Sequence, residues 1–234
     1  RRRCPARPQR RVLVCPHPVT GRYGCGVADS DDGLNLVPAP VDLDLFGTHL
    51  ALAEAVERHG AGEHLVRLGD LGRLAGTHRT ARWAEFVDRH PPTLRTHDPV
   101  GRRIDEVEHH PAWHRLLQHA VRAGMTATAW EDKAPVAAHV ARAAALVVWS
   151  QTETGHLGAL FSTYAAVLAL RAEEKLEAVW LPRLASRAYE SGLRVPAEKL
   201  GCLAGLAVAE RQGGSDLRGS ATVASADPGG PVEG

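Results

Sequence analysis

Several things are scarce in this 234-residue sequence. Methionine occurs once, at Met125, and aromatic residues make up 5%. Neither sign of charge is in excess: 28 Lys and Arg stand against 27 Asp and Glu, for a formal net charge of +1. That balance points neither to nucleic acid nor to an anionic membrane. No apolar run approaches the roughly 20 residues needed to cross a bilayer; residues 143–149 form such a run, but it is short and directly follows Arg142. The four cysteines, Cys4, Cys15, Cys25 and Cys202, show neither the spacing of a disulfide framework nor a C-x2-C zinc pair. Free thiols in a reducing cytoplasm are therefore expected.

What is present is a core large enough for one or two domains, since 44% of residues are hydrophobic. Residues 1–35 are expected to be a disordered basic arm. Arg1, Arg2, Arg3, Arg7, Arg10, Arg11 and Arg22 fall there among prolines, without an acid before Asp29. A solvated leader, a transit peptide and a phosphate-binding arm all fit that composition. Both ends read as cuts in a longer chain, because the one methionine is internal and residues 227–234 stop in turn-forming composition.

Helical patterning begins at Thr48, which is placed to cap a helix ending at Gly60, with Leu52, Ala53 and Val56 on one face. A second helix carries Leu65, Leu68 and Leu71 to Gly76, and a third spans residues 77–90, stopped by Pro91-Pro92. Asp98-Pro99, Gly101 and the alternation over residues 103–107 predict a short hairpin or an extended crossing loop. Pro111 suits the first turn of a helix whose stripe is Trp113, Leu116, Leu117, Ala120 and Val121. Further helices are expected over residues 136–154, 156–170 and 172–180, with Pro182 kinking or ending the last before a stretch to Arg187. From residue 201 the composition turns to small residues without a helical stripe, so a boundary near residue 200 and a strand beyond it are predicted.

The chemistry-bearing segment is Leu206-Ala-Val-Ala-Glu-Arg-Gln-Gly-Gly-Ser-Asp-Leu-Arg218. Paired glycines let main-chain N–H groups approach a ligand closely, and the adjacent serine hydroxyl can donate to a phosphate or carbonyl oxygen. An ordinary surface turn has the same composition.

The segment resembles the acyl-CoA dehydrogenase signature, in which a strand ends in Thr-Glu and runs through a small-residue turn to Gly-Ser-Asp. In the alkylation-response (AidB-like) branch the turn reads Lys-Gln-Gly-Gly-Ser-Asp, and Arg211-Gln-Gly-Gly-Ser-Asp216 differs from it by one conservative change. Upstream segments are similar in order and spacing: Val56-Glu-Arg-His-Gly60, Leu94-Arg-Thr-His-Asp98, Arg103-Ile-Asp-Glu-Val-Glu108, His110-Pro-Ala-Trp-His114, His139-Val-Ala-Arg-Ala143 and Glu153-Thr-Gly-His156.

The resemblance implies a mainly α fold, with the family's amino-terminal helical domain over residues 36–200. The truncated start of the middle β-domain would follow over residues 201–234. It implies FAD as cofactor, lying along Leu206, Ala207, Val208, Ala209, Glu210, Gln212, Gly213, Gly214 and Ser215. Ala209 departs from the family's threonine and removes a hydroxyl that would contact the isoalloxazine. The implied reaction is α,β-dehydrogenation of an acyl-CoA thioester by hydride transfer to flavin and proton removal by a glutamate. That base and a DNA-binding surface are expected beyond residue 234, together with a tetrameric, cytoplasmic parent that has no membrane partner. A DNA-alkylation response is implied as well, and a DNA-protective flavoprotein with little turnover is the alternative.

A different chemistry also competes. Glu106-Val-Glu-His109 and Glu153-Thr-Gly-His156 both read Glu-x-x-His, the repeat by which ferritin-like bundles hold two irons. The first copy falls in an irregular stretch and the second is broken by Gly155, so Glu153 and His156 are expected to form a helix-end hydrogen-bonding pair.

Overall fold

A computed structural model describes residues 40–131, 136–223 and 225. The expected arm and its three cysteines lie outside the described residues. The chain forms α1 (Leu50–Arg58), α2 (Leu65–Ala75) and α3 (His78–Arg89), then a hairpin of β1 (Thr93–His97) and β2 (Arg103–Glu108). After it come α4 (Pro111–Arg122), α5 (Ala138–Ser150), α6 (Leu157–Leu170) and α7 (Glu174–Leu184).

Local chemistry sets most of these boundaries. The Thr77 hydroxyl accepts from the Thr80 N–H at 3.2 Å and starts α3. Pro111 opens α4, where its missing N–H costs nothing, and the His110 ring accepts from the Ala112 N–H at 3.1 Å. The cap of α1 differs from expectation. His49 fills it, its Nδ1 accepting from the Leu52 N–H at 3.3 Å, because the Thr48 hydroxyl is drawn back to the Asp44 carbonyl at 2.8 Å.

α5 ends earlier than its apolar pattern suggests. The Thr152 hydroxyl and the Glu153 carboxylate bond to main-chain groups around the turn and compete with another helical turn. α7 runs through Pro182 rather than ending there, since that residue lies in the last turn and withdraws only one main-chain donor; it then stops short of Arg187.

The core is built on α4 and α5. Leu116, Leu117 and Ala120 of α4 and Val148 and Trp149 of α5 have no exposed surface, and Leu160 of α6 joins them. Each large apolar side chain so buried contributes about 1.5–3 kcal/mol. α2 packs on α5, α3 on α4 and α6 on α7. A smaller cluster of Trp130, Val167 and Leu184 joins α6 to α7.

A strap over residues 40–46 crosses the end of α2. The Asp42 N–H donates to the Gly76 carbonyl at 2.6 Å and the Leu45 N–H to that of Gly72 at 3.2 Å. A Cβ on Gly76 would sit 1.8 Å from the Leu43 carbonyl oxygen, so only glycine admits the crossing. The antiparallel hairpin pairs Leu94 with Val107 and Arg95 with Glu106, and all but Ile104 of its strand residues are exposed.

Past α7 the chain stays on the helices for a few residues. The Cys202 N–H donates to the Arg183 carbonyl at 3.1 Å and the Ala204 N–H to the Thr163 hydroxyl at 3.0 Å. Among the described residues the strand predicted beyond residue 200 does not form. Residues 201–209 adopt no regular structure, residues 205–209 make no main-chain hydrogen bond to any described residue, and one isolated bridge pairs Glu210 with Gly213. A strand needs a neighbour to bond, and no described residue offers one.

Candidate functional site

The expected site residues form an irregular arm closed by a tight turn. Leu206, Ala207, Val208 and Ala209 are exposed, and no described residue bonds their main-chain N–H and C=O groups. The Glu210 N–H donates to the Gly213 carbonyl at 2.8 Å and the Gly213 N–H returns to the Glu210 carbonyl at 3.2 Å. The turn thereby brings Gly214 against Ala209: a Cβ on Gly214 would come within 2.9 Å of the Ala209 Cβ. Nothing lies within 4 Å of the Cβ position at Gly213, so that face is open. Gln212 and Ser215 are exposed, and the Asp216 carboxylate accepts from the Arg218 N–H at 3.1 Å. None of the cavities described for the chain includes these residues.

Glu210 is committed to this turn. Its carboxylate accepts from the Ala221 N–H at 2.8 Å and the Thr222 N–H at 3.0 Å, and from the Gln212 amide. The Thr222 side chain and these donors hold its carboxyl down at about 2. A carboxylate of that kind is a poor proton acceptor near neutral pH, and its role is to fasten residues 221 and 222 to the turn.

Elsewhere the Glu-x-x-His copies have separate fates. His109 stacks on Trp113 with ring centroids 3.7 Å apart, while Glu106 is exposed on β2. Glu153 and His156 form the expected pair at 2.8 Å between Oε2 and Nδ1. Among the described residues no three His, Cys, Asp or Glu side chains gather as metal ligands, so the di-iron arrangement is not assembled.

The structure also shows polar groups that sequence reasoning missed. His114 Nδ1 lies 2.6 Å from the Tyr189 hydroxyl, whose pKa burial pushes up to about 12. Arg142 donates from Nε to the Met125 carbonyl at 2.6 Å and lies 3.4 Å from the Tyr164 ring centroid. The available signal was its position on α5, between the inward-facing Ala141 and Ala145.

Residues 35–191 match the adaptive response protein AidB N-terminal domain. The putative acyl-CoA dehydrogenase AidB of Escherichia coli (strain K12) is 36% identical over 187 residues, which is 79% of this chain and 35% of that protein. The chain thus spans about a third of that relative's length. A structure described as the Bd2924 apo-form superposes with a TM-score of 0.67 at 28% identity, over 81% of this chain and 38% of the other. Caenorhabditis elegans ACDH-11 in complex with C11-CoA also gives 0.67, at 20% identity, over 88% of this chain and 34% of the other, and shows a shared fold alone. The chain belongs to the AidB N-terminal domain family, within the acyl-CoA dehydrogenase-like proteins, and has their helical amino-terminal fold.

Proposed function

We propose that this chain is part of an FAD-dependent acyl-CoA dehydrogenase-like protein in which Leu206, Ala207, Val208, Ala209, Glu210, Gln212, Gly213, Gly214 and Ser215 lie along the flavin. In this reading residues 36–200 are the helical domain and residues 201–234 begin a β-domain. One observation carries it: an exposed segment whose main-chain groups no described residue bonds runs into a glycine turn whose outer face is open at Gly213. The residues fit the group, because flat aromatic cofactors are held by such main-chain donors and close glycine approaches.

When bound, FAD supplies the hydride acceptor for α,β-dehydrogenation of an acyl thioester. The protein's part is to bind and orient. Main-chain N–H groups at 206–209 and the Ser215 hydroxyl would supply donors to the flavin, and the Ala209–Gly214 contact sets the turn's width. Ala209, where the family has threonine, forgoes a hydrogen bond worth about 0.5–1.5 kcal/mol. The Glu210 carboxylate is occupied by donors of its own turn, and the family resemblance puts the proton-removing glutamate beyond residue 234. The acyl-CoA in ACDH-11 supports the thioester substrate. A tetrameric, cytoplasmic parent and a role in the response to DNA alkylation belong to the same proposal. No described helix is long and apolar enough to cross a membrane.

The test is flavin content per protomer, by visible absorbance, of the full-length protein carrying this chain. One equivalent is expected, with most of it lost in Gly214→Val while the helical circular dichroism is kept. Ala209→Thr should tighten FAD by about two- to tenfold. A flavin-free protein, or a Gly214→Val variant of undiminished occupancy, sinks the reading. Retained flavin with no acyl-CoA oxidation and salt-dependent duplex binding favours the DNA-protective form.

A further inference from the structure

A cavity of about 310 Å³ opens between α2, the 123–128 turn and α5, and shares no residue with the glycine turn. Its floor is apolar: Leu68 and Leu71 of α2, Met125, and Ala141 and Ala145 of α5. Its rim is cationic, with Arg67 from α2 and Arg122 from α4. Neither guanidinium has an ion-pair or hydrogen-bond partner among the described residues, and Arg142 on the same wall donates from Nε to the Met125 carbonyl while its buried Nη2 has no described partner. Among the described residues Asp70 is the one carboxylate lining the cavity, and Arg73 engages it.

These two cations have different standing in their helices. Arg122 closes α4, where a positive charge suits the negative end of the helix dipole. Arg67 is the third residue of α2, at the positive end, where a cation is disfavoured unless something anionic answers it. The local potential is positive in a second respect: burial, then Arg122, Arg79 and Arg115, hold the rim residue His119 below the usual histidine range. A basic mouth over an apolar floor selects one chemical class. We infer that this cavity binds an anionic amphiphile, a carboxylate with an unbranched apolar chain, its head between Arg67 and Arg122 and its chain on Leu68, Leu71 and Met125. A guanidinium can hold such a head bidentately, and the chain displaces water from apolar wall.

The test is isothermal titration of the 234-residue chain with octanoate, octylammonium and octanol. Trp83, which stacks on His119 with centroids 5.4 Å apart, serves as a local indole N–H reporter in NMR. Saturable binding of one octanoate is expected, with a shift at Trp83, weaker octanol binding and no octylammonium binding. Arg67→Gln with Arg122→Gln, both at exposed positions, should weaken octanoate at least about tenfold. Ala145→Met, which fills the floor, should abolish binding of octanoate and octanol together. Absence of octanoate binding, equal binding of octylammonium, or unchanged affinity in the double variant overturns the inference. None of these outcomes bears on flavin content.

Discussion

Glu153 holds His156 twice, its Oε2 lying 2.8 Å from the imidazole Nδ1 and 3.1 Å from the His156 main-chain N. The imidazole is fully buried and edge-on to Trp149. Burial lowers the His156 pKa below 6.5, and Glu153 only partly opposes this. Burial pushes Glu153 up, but hydrogen bonds from the His156 ring, the Gly155 N–H and the His156 N–H outweigh it and leave its pKa below 4.5.

Both shifts make acid destabilising. His156 is depressed, so the unfolded chain takes up its proton first and stability falls once pH drops below the unfolded value of about 6.5. Glu153 is also depressed, so its contribution is present above its unfolded value, about 4.3, and is lost as pH falls through the folded one. A urea midpoint lower at about pH 5.5 than at neutral pH is expected, and His156→Gln should flatten that difference. Glu153→Ala should cost about 2 kcal/mol, because it leaves a buried ring nitrogen and main-chain donors unmatched. A pH-independent midpoint in the parent would contradict the assignment.

Two glycines separate crowding from backbone strain. Gly76→Ala forces a methyl into the Leu43 carbonyl and should destabilise by about 2–3 kcal/mol. Gly60 has φ +77 with open space around it, so Gly60→Ala should cost about 1–2 kcal/mol from conformation alone. Thermal melts of the pair check the order.

Core and surface leucines should differ more. Leu116→Ala, at a fully buried position, is expected to cost about 2–5 kcal/mol. Leu168→Ala, at a position 61% exposed on α6, should stay within about 0.5 kcal/mol. Denaturant midpoints distinguish them.

The hairpin should be the least protected element of secondary structure. A lone two-stranded ribbon is marginal in water, and here its Leu94–Val107 pair is exposed. Amides of β1 and β2 should exchange faster than those of α4, and Arg95→Ala should cost under about 1 kcal/mol despite the ion pair with Glu108. Protection of the hairpin equal to that of α4 would show that something covers it.

In the glycine turn, the Ala221 and Thr222 amide resonances should titrate with Glu210 at about 2. Its pKa is depressed, so the fastening is present above the ordinary carboxylate value and released only as pH falls through about 2. Glu210→Gln should shift both amides at neutral pH.

The helices from Leu65 to Leu170 and the hairpin were legible from local signals. Their apolar spacing repeats every three to four residues, Thr77 and Pro111 cap and start helices by their own chemistry, and Asp98-Pro99 with Gly101 turns the chain. These effects act within a few residues, so the sequence alone determined them. Only the tertiary structure decided what depends on a distant neighbour. It set the burial of His156 and the half-burial of Arg142, and it left residues 201–209 without a ladder. The cavity under Arg67 and Arg122 belongs to the same class. Apolar period states which face of a helix turns inward, but a pocket exists only where α2, α4 and α5 fail to fill the space between them, and that gap is set by packing rather than by any one segment.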